Sequence, residues 1–217
     1  MSEYSRATDS FRCDECSEEM AVPLFCDHCG TNYPERRGMG PFAVLGLEPH
    51  FDIDDDVFDQ REMALAARLH PDRWQSRGER THKQAQLAWS SVNEALAKTK
   101  DPFARAETLL SDADDQDDKA SVPQGFLIEQ LELQEELEEA VSSERRKALN
   151  KTIRRELKEL KRQLLGHFEI IEASQSAGSA AGNAGAAAMS AAWTVVHMSR
   201  YWRNAQRALR GGAAQGN

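Results

Sequence analysis

The hydrophobic positions of this chain keep helical spacing along most of its length, and prolines mark where one register stops and the next begins. Between Val57 and Leu69, Phe58, Leu65 and Leu69 stand at offsets of seven and four, one stripe of an amphipathic helix that Asp54 or Asp55 can cap. From Glu79 to Lys98 the stripe is Ala85, Ala88, Trp89, Val92 and Leu96. Pro71, between the two, offers no N–H and its ring clashes with a preceding helical turn, so His70-Pro71-Asp72 must be the loop of a helical hairpin. An imidazole, a rigid corner and a carboxylate are thereby presented together at the hairpin tip. Arg61 and Arg68, seven apart, share one flank of the helix that leads into it. A short helix is expected over Pro41 to Leu47, with Phe42, Leu45 and Leu47 as buried contacts. Another is expected over Phe103 to Leu110, opened by an Asp101 cap and an N1 proline, Pro102.

Three further helices follow. In the first, Phe126, Leu133, Leu137 and Ala140 fall on one stripe at 100° per residue, the expected docking face. Leu127, Ile128 and Leu131 group on roughly the opposite side, with Glu132, Glu135, Glu138 and Glu139 among or around them. An apolar trio away from the core stripe and rimmed by carboxylates has the make-up of an exposed protein-binding patch; burial of this helix on two sides is the bland alternative. Ser143 to Glu172 is a long helix with Leu149, Ile153, Leu157, Leu160, Leu164, Phe168 and Ile171 as its core stripe. Ala173 to Ala187, rich in Ala, Gly and Ser, reads as a flexible loop. The last helix carries Ala188, Ala191, Val195, Met198, Trp202, Ala205 and Leu209 on one face, which completes a three-helix bundle. The fold class is therefore all-α, a helical hairpin followed by a bundle.

Composition adds a metal. All four cysteines lie at positions 13, 16, 26 and 29, in two Cys-x-x-Cys pairs. Each pair turns two thiolates toward one ion, and Cys13, Cys16, Cys26 and Cys29 together make a closed, structural Cys₄ zinc site with no position left for chemistry. His28, beside a ligand, reads as a bystander. The expected organisation is a disordered tail (1–10), the Cys₄ zinc module (11–36), the hairpin domain (40–111), an acidic linker (112–122) and the bundle (123–210). With 27 Lys+Arg against 36 Asp+Glu the net charge is -9, which argues against a binder of nucleic acid driven by phosphate neutralisation. No run approaches the ~20 apolar residues of a membrane helix. A cytoplasmic location is expected, or the mitochondrial matrix if a longer precursor exists.

Phe42-Ala-Val-Leu-Gly-Leu47, His70-Pro71-Asp72, Asn93-Glu94-Ala95-Leu96 and the segment Pro102 to Leu110, in that order, resemble the J-domain of the HscB family of iron–sulfur co-chaperones. Other J-domains share the first three features; Arg105-Ala106 to Leu109-Leu110 is similar to HscB in particular. Arg73 stands where the family usually has Lys, with the charge kept. The resemblance implies a non-enzymatic regulator. His70, Pro71, Asp72, Arg73, Arg61 and Arg68 would dock on the ATPase domain of a DnaK/HscA-type chaperone and stimulate ATP hydrolysis. Phe126 to Leu137 is similar to the family's scaffold-binding segment, so Leu127, Ile128, Leu131, Glu132 and Glu135, with Tyr201 at the family's aromatic position, would hold an IscU-like iron–sulfur scaffold protein. The Cys₄ module resembles one found on some members. Three rivals remain: a general J-protein for unfolded clients, a zinc-ribbon nucleic-acid binder, and, most remotely, an enzyme using His70 and Asp72.

Overall fold

Helices account for most of the computed structural model, which describes residues 11–113, 121–139, 142–177 and 182–211. In chain order these are α1 (Pro41–Leu45), α2 (Asp55–Leu69), α3 (Glu79–Thr99), α4 (Pro102–Ala113), α5 (Gln124–Glu139), α6 (Ser143–Ala177) and α7 (Gly182–Gly211). No strand forms among the described residues; the Cys-rich segment has only isolated bridges, Arg12 to Glu19, Val22 to Phe25 and Phe25 to Asn32. No helix of the described residues is long and apolar enough to cross a membrane. The expected tail (1–10), part of the acidic linker (114–120) and Ala140 of the expected core stripe lie outside the described residues.

The chain divides into two compact units, residues 1–105 and 106–217. In the first, α1, α2 and the 3₁₀ turn Pro71–Arg77 all pack on α3. Phe58, Leu65 and Leu69 of α2 and Ala85, Ala88, Val92 and Leu96 of α3 are buried as the spacing requires. Asp54 holds the N-cap position of α2 but makes no side-chain cap bond. Asp101 does cap α4, accepting from the N–H groups of Phe103 (3.1 Å) and Ala104 (2.9 Å). Between the Cys-rich segment and α1 lies a 3₁₀ turn, Pro34–Gly38, where Arg36 stacks 4.1 Å from the Tyr33 ring.

In the second unit α6 and α7 pack together and α5 packs on α7. Leu149, Ile153, Leu160, Leu164, Phe168 and Ile171 of α6 meet Ala188, Val195, Trp202, Ala205 and Leu209 of α7 as buried residues, while Leu157, Ala191 and Met198 are half-buried. Two expectations need correction here. Ala173 to Ala187 is not a long loop: α6 runs to Ala177 and α7 starts at Gly182. Alanine is the best helix former, and the hydroxyls of Ser174 and Ser176 return hydrogen bonds to the carbonyls of Ile170 and Glu172 instead of breaking the helix. On α5 only Phe126 and Gln130 are buried; Leu133 and Leu137 are half-buried, because they face a groove and not the core.

Candidate functional site

The hairpin tip is built from its backbone outward. His70 closes α2 with φ -53 and ψ 129, and Pro71 opens the 3₁₀ turn. The Asp72 N–H points at His70 Nδ1 (3.4 Å), so in the neutral ring the proton sits on Nε2, free to donate outward. Asp72 Oδ1 accepts from Gln75 Nε2 at 3.2 Å, yet the Asp72 side chain stays 71% exposed. From α3, His82 Nδ1 donates to the Pro71 carbonyl (3.0 Å) while Gln86 engages its Nε2 (3.1 Å). The His70 ring lies 6.0 Å from that of half-buried Trp89. Arg73 is exposed. The carboxylate and the imidazole edge are thus both offered to solvent from a fixed backbone.

The four cysteine sulfurs all lie within 4.8 Å of one another, with Cys13 and Cys29 3.5 Å apart and Cys16 and Cys26 3.6 Å apart. Four sulfurs at ~2.3 Å from one tetrahedral zinc would be spaced by ~3.8 Å, so this donor set fits a single ion of that kind. Burial acts to raise the Cys13 thiol, but hydrogen bonds from the Tyr33 hydroxyl (3.2 Å) and from backbone N–H groups outweigh it and bring the thiol down to about 6. Burial dominates at Cys26, pushed up to about 12, and at Tyr33, also about 12. His28 is exposed and outside the cluster, as expected of a bystander.

The module is seated on the hairpin. Its Phe25 meets buried Trp74 edge-on at 4.7 Å, and Arg77 stacks on the same indole at 5.0 Å while donating to the His28 carbonyl (3.0 Å). Both arginines of the α2 flank reach toward the module, Arg61 half-buried and Arg68 still exposed. Arg61 donates to the carbonyls of Leu45 and Ala21, and Arg68 to the carboxylate of Asp27 and the carbonyl of Glu19. Gly46, at φ +64, leaves room for Arg61 to pass: a Cβ there would stand 2.7 Å from its Nη2.

On α5 the expected patch is open to solvent: Ile128 is 58% and Leu131 63% exposed, with Glu132 and Glu135 exposed beside them and Leu127 half-buried. Tyr201 of α7, 41% exposed, meets Phe126 edge-on at 5.8 Å. Leu127, Leu131 and Tyr201 border a groove of about 890 Å³ between α5 and α7, whose walls include Leu133 and Leu137. At its side the Gln130 Nε2 is buried with no acceptor among the described residues.

Residues 122–210 match the family model described as the HSCB C-terminal oligomerisation domain. A co-chaperone protein HscB homolog of Haemophilus influenzae is 30% identical over 139 residues, covering 62% of this chain and 80% of that protein. The chain belongs to the HscB co-chaperone family. A homolog of the same description from Neisseria meningitidis is 41% identical over 103 residues; the match spans 46% of this chain and 61% of the relative's length. Among solved structures, chaperone HscB from Vibrio cholerae matches with a TM-score of 0.62 at 25% identity, over 82% of this chain and 99% of that one. Human co-chaperone protein HscB matches in fold with a TM-score of 0.65 at 20% identity, over 94% of each chain.

In this HscB-family chain the residues missed in the sequence are Trp74 and His82, which support the tip, and Gln130, which lies beside the α5 groove. Trp74 left a signal: it is a large apolar residue in the polar run from Pro71 to Arg80, and the structure buries it. His82 and Gln130 left none, because a polar residue of a helix reads as solvated until its neighbours are known.

Proposed function

We propose that this chain is a co-chaperone of iron–sulfur cluster assembly that engages a DnaK/HscA-type chaperone through its hairpin tip and an IscU-like scaffold protein through α5. The observation that carries the reading is that one chain holds both an exposed, backbone-fixed His70-Pro71-Asp72 tip and an exposed apolar patch at Ile128 and Leu131. Asp72 accepts a charge-assisted hydrogen bond from a basic group on the chaperone, and Pro71 and His82 hold the direction in which it points. His70 donates through Nε2. Arg73 and the outer part of Arg68 supply positive charge beside them, while Arg61 acts from beneath through the module. Leu127, Ile128 and Leu131 bury apolar surface of the scaffold, and Glu132, Glu135 and Tyr201 border the contact. Held on one chain, the two partners meet at high effective concentration. No bond-making step falls to this chain; the chemistry is the chaperone's ATP hydrolysis. Cys13, Cys16, Cys26 and Cys29 hold zinc, which supplies structure alone.

The test is a steady-state ATPase assay with the cognate chaperone, with and without scaffold protein. His70→Gln should abolish stimulation, and the double variant Leu127→Ala/Leu131→Ala should lose scaffold binding in a pull-down while keeping basal stimulation. Intact stimulation by His70→Gln, or full scaffold binding by the double variant, would sink the respective half. Binding that tracks the unfolding of arbitrary clients would favour the general J-protein instead.

A further inference from the structure

We infer that the Cys₄ module is a metal-dependent brace for the His70-Pro71-Asp72 loop, with Trp74 as the positioning residue through which it acts. Only the expected effect on ATPase stimulation rests on the proposed function; the brace itself is a property of this chain. Trp74 sits two residues after Asp72 in the same 3₁₀ turn and is 3% exposed. Beside Arg77 of its own turn, which stacks on the indole at 5.0 Å, the module covers it with the edge of Phe25 at 4.7 Å and with Gly30, where a Cβ would come within 3.2 Å of the indole Cζ3 and 2.8 Å of Thr81 Cγ2. Gly30 also has φ +86, so the glycine both makes the turn and lets the ring approach.

The module groups that meet Trp74 and Arg77, and the carboxylate that takes Arg68, all flank the second pair of ligands. Phe25 precedes Cys26, Asp27 and His28 lie between Cys26 and Cys29, and Gly30 follows Cys29, its N–H donating to the Cys26 carbonyl at 2.8 Å. Asp27 takes Arg68 and the His28 carbonyl takes Arg77, so the same loop also fixes both ends of the hairpin turn. Around the ligands themselves the cluster is only Cys13, Cys26, Met20 and Tyr33, flanked by Phe11 and Cys16; Ala21, Val22, Leu24 and Phe25 are buried as well, and a module of this size leans on its ion to keep them in place. The indole Nε1–H is buried with no acceptor among the described residues. Packing alone keeps Trp74 in place, and opening the seat hydrates that N–H, which favours release once the module loosens. Metal loss therefore reaches Asp72 through Trp74.

The experiment is hydrogen exchange by mass spectrometry on the full chain, zinc-loaded and after chelation, with the ATPase assay run in parallel. Exchange in peptides spanning 70–82 should rise about tenfold on chelation while peptides of α6 stay unchanged. Stimulation should fall several-fold with it. In Trp74→Ala, and in Gly30→Ala as a second variant that keeps the indole, the loop should exchange fast with zinc bound and respond no further to chelation. Unchanged exchange over 70–82 in the chelated parent, or a full response in both variants, overturns the brace. A chelation-sensitive loop whose His70→Gln variant still stimulates the ATPase would instead overturn the proposed function and leave the brace standing.

Discussion

Arg105→Met should cost the first unit about 4 kcal/mol of stability, a large share of the ~5–15 kcal/mol that holds a domain together. The guanidinium is 2% exposed and lies over the Phe58 ring at 4.8 Å. Its Nε donates to the Thr99 carbonyl (2.7 Å), Nη1 to those of Phe51 (2.7 Å) and Ile53 (3.0 Å), and Nη2 to that of Lys100 (3.2 Å). Two of these acceptors are in the connector before α2 and two at the end of α3, where helical carbonyls have no partner within the helix. One side chain thus ties the connector to the close of the hairpin. A bond from a charged donor is worth roughly 1.5–3 kcal/mol, and the four are not additive because the α3 carbonyls can turn partly to water. Methionine replaces the stem but none of the donors. Arg105→Lys keeps the charge on a single nitrogen where Arg105 uses three, and should recover less than half of the loss. The assay is a urea titration of the full chain read by hydrogen exchange, with α6 and α7 peptides as the internal control. At roughly 2 kcal/mol per M, the α2 and α3 peptides should lose protection about 2 M earlier. If both variants move that midpoint by less than about 0.5 M, the carbonyl cluster is not what Arg105 stabilises.

Other outcomes follow from the metal and from α6. The full chain should bind a single zinc ion, and cobalt in its place should show tetrahedral thiolate bands; an octahedral spectrum would exclude the Cys₄ assignment. Because the thiolates must be deprotonated to bind, metal should be released as pH falls, at higher pH in Cys16→Ser than in the parent. Burial holds His167 on α6 below its ordinary value, so its neutral form is favoured in the fold. The unfolded chain then takes up a proton first as pH falls. Its contribution to the stability of the second unit is full above about 6.5 and is lost as pH drops through the lower, folded value. His167→Gln should flatten that slope in a pH series of thermal melts; an unchanged slope would assign the acid sensitivity elsewhere.

The hairpin was legible because Pro71 allows only one reading and because the stripes of α2 and α3 are regular on either side of it. The Cys₄ set was equally open, since spacing alone defines it. Arg61 and Arg68 show the limit: their shared flank is visible in the helix register, but their acceptors lie some forty residues earlier, in a segment whose position no local pattern reveals. Trp74 differs in that a large apolar residue in a polar run signals burial, yet its neighbour Phe25 is just as distant in sequence. The Ala-rich stretch was misjudged by composition, which could not weigh alanine's helix propensity against its glycines. On α5 the angular pattern separated Ile128 and Leu131 from the core, yet could not tell that Leu133 and Leu137 border a groove, because that depends on how α7 presents Tyr201.

The glutamates of α5 also bear on how the chain behaves in a crowded solution. Exposed Ile128 and Leu131 would normally invite self-association. Six glutamates on the same helix, Glu129, Glu132, Glu135, Glu136, Glu138 and Glu139, place like charge around any patch-to-patch encounter of two copies. Like charge at the rim therefore opposes a patch-to-patch meeting of two copies, and a partner surface bearing cations would be the better match.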